Sequence, residues 1–206
     1  MYLPAHTAVE DRPQIEAFVR QAAVASLVTV GADGAPDATT LPVLWEGDRV
    51  IAHIARANPQ CERIVDGAAA LLVVRGPDGY ITPSWYASKA EHGRVVPTWN
   101  YTEVQLRGTI HLHEDPEWVL DAVTALTSHH ESQRESPWSV TDAPDKYVRT
   151  RLRAITGLEV RVTDVRAKAK VSRDKPEADQ AGVLAHLPDG PLRRAQETGG
   201  LGDPQR

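Results

Sequence analysis

Three short stretches concentrate the side chains that an anionic aromatic molecule needs. Residues 52–59 carry His53, Arg56 and Asn58 before Pro59, and residues 79–86 carry Tyr80, Ser84, Trp85 and Tyr86 around Pro83. Residues 96–101 carry Thr98, Trp99, Asn100 and Tyr101 after Pro97. Cations and hydroxyls bind phosphate oxygens, aromatic rings pack on flat ring systems, and prolines stiffen the backbone that presents them. Arg56 and Lys89 are the candidate phosphate cations, Ser84 and Thr98 the hydroxyl donors, and Trp85 or Trp99 the ring platform. His53, Asn58 and Asn100 complete the set, and Lys170 joins it from a basic stretch further along. The asparagines have a competing local use, because Asn amides readily satisfy turn backbones. Aromatic residues are only 5% of the chain, yet five of them lie between residues 80 and 101, which marks that stretch as the place for a flat ligand.

Other familiar arrangements are absent. No Gly-rich phosphate loop precedes a helix, and there is no Gly-x-Ser-x-Gly elbow. His111 and His113 share a strand face without a third clear ligand, and His129-His130-Glu131 sits at a helix end, where imidazoles meet the negative dipole. The single Cys61 excludes an intrachain disulfide and a cysteine-built metal site. These patterns nominate no catalytic residue and no metal site.

The elements that must position these residues read as follows. Asp11 caps a first helix whose Ile15, Phe18, Val19 and Ala22 recur at helical spacing. Residues 25–30, 39–45 and 49–54 alternate as strands joined by tight turns, and a short helix follows Asn58-Pro59. Residues 68–74 form another strand, closed by a turn at Gly76-Pro77-Asp78-Gly79. A long connection over 83–98 leads into a strand over 99–112 with Val104, Leu106, Ile110 and Leu112 on one face. Helices are predicted from Asp115 and over 143–156, the latter C-capped by Gly157, and a last strand over 158–165. Five or six antiparallel strands with added helices predict an α+β protein built on a small barrel: one domain over 1–187 and a disordered tail over 188–206.

Hydrophobic residues at 41% support a real core. No apolar run approaches the roughly 20 residues of a membrane span, and the first ten residues lack the features of a signal peptide, so a cytoplasmic location with no membrane partner is expected. The net charge of −5 is unevenly spread: residues 146–175 hold ten Lys and Arg against Glu159, Asp164 and Asp174. That stretch is the one candidate for touching a nucleic-acid phosphate backbone and also suits a cofactor phosphate, with a solvated helix face as the plainer reading.

The blocks HIARANPQ (53–60), GPDGYITPSWYASK (76–89), GRVVPTWNY (93–101), WSVTDAP (138–144) and AITGLEV (154–160) together resemble the PaiB family of FMN-binding negative transcriptional regulators. The resemblance runs from Met1 to about Leu187. It implies an FMN-binding split β-barrel of about six antiparallel strands with peripheral helices, paired as a homodimer with FMN at the subunit interface. Three positions depart from the family pattern: Thr40 replaces a histidine before Leu41-Pro42, Arg173-Asp174 replace two neutral amides after Ser172, and Cys61 replaces an aromatic residue.

Two functions from different classes follow. One is an FMN-binding repressor that contacts DNA or a partner regulatory protein. The other is a flavin- or haem-dependent enzyme of specialised metabolism, for example one forming N–N bonds as piperazate synthases do. Haem b is the alternative cofactor, and His53 would then be its axial ligand.

Overall fold

The computed structural model describes residues 1–204. In chain order its elements are β1 (Ala8–Val9), α1 (Arg12–Ala22), β2 (Val24–Val30), β3 (Pro36–Pro42), β4 (Leu44–Glu46), β5 (Arg49–Ala55), α2 (Pro59–Arg63) and β6 (Ala69–Ile81). There follow α3 (Ser88–His92), β7 (Thr98–His113), α4 (Pro116–Glu131), α5 (Asp145–Leu152), β8 (Ile155–Lys170), α6 (Glu177–His186) and α7 (Pro191–Thr198). The strands run in the order β3-β2-β6-β7-β8-β5-β4, with β1 added on β8, and every pair with a defined register is antiparallel. This is the mixed α+β, antiparallel split barrel expected, with eight strands in place of about six. The chain comprises two compact units, each discontinuous in sequence.

One unit comprises residues 23–73 and 106–165. Its extra strand arises where a single run over 39–45 was expected. Val43 breaks the run: β3 pairs with β2 as far as Pro42, while β4 pairs with β5. Proline offers no N–H to continue a ladder, and Val43 turns its own N–H to the Ala23 carbonyl at 2.9 Å. The strand thereby changes partner at a barrel corner. Leu27, Ile54, Leu72, Leu106, Ile110 and Leu158 are buried almost completely, as strand alternation requires. The helix expected over 143–156 is shorter, because Ile155 already begins β8. Gly157 is therefore no C-cap; it lies in β8 opposite His53, where a Cβ would come within 2.2 Å of the Trp118 ring.

The other unit comprises residues 1–22, 74–105 and 166–206. The turn expected at 76–79 does not form, and β6 runs straight through it to Ile81. Here the glycine serves close packing: a Cβ on Gly76 would lie 2.2 Å from Thr102 Oγ1 and 2.6 Å from the Phe18 ring. The connection over 83–98 is no open loop either; it folds into a 3₁₀ turn, Pro83–Trp85, and α3, which ends at Gly93 with φ 67°. The tail expected from residue 188 is corrected as far as the described residues go. Residues 191–198 form α7, and Ala195 and Leu201 are fully buried. Positions 205 and 206 lie outside the described residues.

Candidate functional site

In the first unit, β5 ends at Ala55 and the chain turns through Arg56 and Asn58 into α2. Asn58 Oδ1 accepts the Gln60 N–H at 2.9 Å and caps that helix, while its Nδ2 donates to Thr39 Oγ1 at 3.0 Å. Both ends of this amide are occupied by the protein. Arg56 donates from Nε to the Ile155 carbonyl at 3.1 Å and from Nη1 to Glu114 Oε1 at 2.8 Å. Its cation thus has a carboxylate partner. His53 is half-buried on β5, and its Nδ1 is buried with no hydrogen-bond partner. Burial holds the imidazole pKa below its ordinary value, so the ring is neutral.

Neutrality of His53 makes stability pH-dependent. The folded protein binds fewer protons than the unfolded chain below the ordinary value of 6.5, so stability should fall as pH drops through that value. His113 and His130 are also held low by burial, so they share the effect. Urea unfolding at about pH 7.5 and about pH 5.5 should show wild type losing more stability than His53→Gln on acidification. Equal losses would reject the assignment.

In the second unit the remaining sequence-nominated residues form separate small clusters. Lys89 Nζ donates to Ser84 Oγ at 2.9 Å. Lys170 Nζ donates to Thr98 Oγ1 at 2.6 Å and to the Trp99 carbonyl at 2.9 Å. Neither lysine has a carboxylate within ion-pair distance among the described residues. Trp99 is 51% exposed, its indole N–H fixed on Asp78 Oδ1 at 2.8 Å, with exposed Tyr80 tilted beside it at 6.3 Å. Trp85 instead stacks on His186 at 5.8 Å and packs against the cluster of Ile81, Tyr86, Val183 and Leu187. Asn100 is fully buried and exchanges hydrogen bonds with Ser172 and Gln196, so its amide is consumed internally.

Some residues that matter here carried no sequence signal. Asp179, on α6, accepts both the Ser88 N–H and the Ser88 hydroxyl at 2.9 Å, and it is 2% exposed. It anchors α3, and with it the stretch bearing Ser84 and Lys89. Nothing in a polar helix start distinguishes such an anchor from a solvated acid. The departure at 173–174 also has a local explanation: Asp174 pairs with Lys175 at 3.7 Å, and the Arg173 guanidinium lies against Gly199, at the end of α7. A cation there complements the helix dipole. Thr40 lies 3.5 Å from Ser26 across β2, and Cys61 is half-buried on α2.

The basic stretch over 146–175 is not one open patch. Lys168 is buried, donating to the Tyr2 carbonyl at 2.9 Å and lying over the Tyr2 and Tyr101 rings. Arg161 pairs with Glu159, Arg151 covers Tyr147, and Lys170 holds Thr98.

No helix among the described residues is long and apolar enough to cross a membrane, and no cluster of three metal-ligating side chains occurs among them. The fold is similar to the FAD and haem binding protein from Mycobacterium smegmatis, at a TM-score of 0.61 and 18% identity over 87% of this chain and 80% of that one. A conserved hypothetical protein from Mycobacterium tuberculosis gives the same TM-score at 15% identity, covering 92% of this chain and 98% of that one. In sequence, the chain is 29% identical to protease synthase and sporulation protein PAI 2 of Bacillus subtilis, over 91% of this chain and 89% of that protein. Residues 1–164 match the family model described as "Putative FMN-binding domain". The chain is a member of this flavin-binding family.

Proposed function

We propose that this chain binds FMN and acts as a negative transcriptional regulator. The observation that carries the FMN assignment is the pair of lysines held by hydroxyls. Lys89 on Ser84 and Lys170 on Thr98 keep a full positive charge beside a neutral donor, the combination that suits phosphate oxygens. Arg56 is the weaker phosphate candidate, because Glu114 already neutralises it. The exposed indole of Trp99 supplies a ring surface for the flavin, and the bound flavin would supply a redox-active ring system. Asn58 and Asn100 act by holding the surrounding backbone.

Quenching of FMN fluorescence tests this reading. Lys89→Ala and Lys170→Ala should each weaken FMN by about tenfold, the value of one charge-assisted contact. Unchanged affinity in both variants would remove the site.

Regulation requires that the ligand favour one state over another. The segment over 83–98, anchored through Ser88 to Asp179, is the element an FMN phosphate would bias. Because the basic stretch is dispersed and the net charge is −5, we favour action through a partner protein over direct DNA contact. Direct contact would appear as a mobility shift that weakens steeply with salt. We further propose a homodimer, to be checked by sedimentation at micromolar concentration.

One observation favours a second reading, a haem-dependent enzyme. The neutral His53 has a buried, unpartnered nitrogen, which is the chemistry of an axial ligand. A Soret band in purified protein, lost in His53→Ala, would replace FMN by haem.

A further inference from the structure

A cleft of about 600 Å³ opens among α4, α5 and the turn Val140–Asp142, entirely within the unit of residues 23–73 and 106–165. Val119, Val140, Val148 and Leu152 give it an apolar lining, and Arg149 and Arg153 stand along it at helical i,i+4 spacing. Its volume is that of small-molecule sites in general. Arg56 also lines it, bound to Glu114, so that pair is internally neutral. The other two acids present, Glu117 and Asp145, occupy the first turns of α4 and α5, where helix dipoles offset their charge.

Arg149 and Arg153 stand in the last turn and at the C-cap of α5, where the dipole offsets part of their charge, but no carboxylate among the described residues pairs with either. Asp145 and Arg149 are one turn apart, the spacing that closes as an ion pair at 2.6 Å in Arg12–Glu16 and 3.1 Å in Arg193–Glu197. Here it does not close, and neither Arg149 nor Arg153 has an ion-pair partner among the described residues. Two guanidiniums left open beside an aliphatic lining match a molecule with one carboxylate and an apolar body, because the planar fork binds carboxylate through two parallel bonds.

We infer that this cleft is a binding site for a small amphipathic carboxylate. It goes beyond FMN binding and shares no residue with the Lys89 and Lys170 clusters; Arg56, the weaker phosphate candidate, is common to both readings and is left intact in the test. The test uses the full chain and methyl NMR. Titration with 3-phenylpropanoate should shift the methyl signals of Val119, Val140, Val148 and Leu152 saturably. The neutral 3-phenylpropanamide should bind at least about tenfold more weakly, and Arg149→Gln/Arg153→Gln should weaken the carboxylate by a similar factor. Absence of saturable shifts at millimolar ligand would overturn the inference. Equal binding of the amide, or equal binding by the double variant, would do so as well. FMN fluorescence on the same samples reports the other site independently.

Discussion

Gly108→Ala is expected to lower stability by about 3 kcal/mol, the upper range for overpacking by one methyl group. An added Cβ would lie 1.9 Å from the Arg161 carbonyl oxygen, 2.7 Å from its carbon and 3.1 Å from the Val162 Cα. All three atoms are backbone, so no rotamer change relieves the contact. Strands β7 and β8 would have to separate locally, and ladder hydrogen bonds would stretch where Leu106 and Ile110 are fully buried. Gly76→Ala is the informative comparison, because the nearest atoms there belong to the Thr102 and Phe18 side chains, which can shift. The urea midpoint should fall well below wild type for Gly108→Ala, with the slope unchanged, and fall less for Gly76→Ala. A wild-type midpoint for Gly108→Ala would show that the strands have room to spare.

Asp179→Ala should cost about 3 kcal/mol and loosen the segment over 83–92. Ser88 is 8% exposed, so removing the carboxylate strands both its N–H and its hydroxyl away from water. The contact is reinforced by backbone packing: a Cβ on Gly182, one turn along α6, would reach within 2.0 Å of the Trp85 carbonyl oxygen. Limited proteolysis should therefore cut Asp179→Ala within 83–92 at protease levels that leave wild type intact. FMN affinity should fall with it, since Ser84 and Lys89 lose their position. Asp179→Asn keeps an acceptor and should lie between the two. An unchanged cleavage pattern in Asp179→Ala would mean that α6 does not hold this segment.

Periodicity alone determined much of this protein. The alternation through Val104, Leu106 and Ile110 and the helical spacing of Ile15, Phe18 and Val19 place these side chains inside, and all six are buried. Each depends on neighbours within a few residues, so the pattern is written locally. Ser84 and Lys89 were each nominated from the sequence as ligand contacts, but only the structure pairs them with each other. Tertiary structure decided the rest, wherever the partner lies far away in sequence. Gly76 and Gly157 read as a turn and a helix cap until Thr102 and Trp118 pack where their side chains would be. Arg56 read as a free cation until Glu114, 58 residues on, took its charge, and Asp179 became an anchor only through Ser88, 91 residues away. A glycine or a charge has the same local signature in either use, and only the packed neighbour distinguishes them.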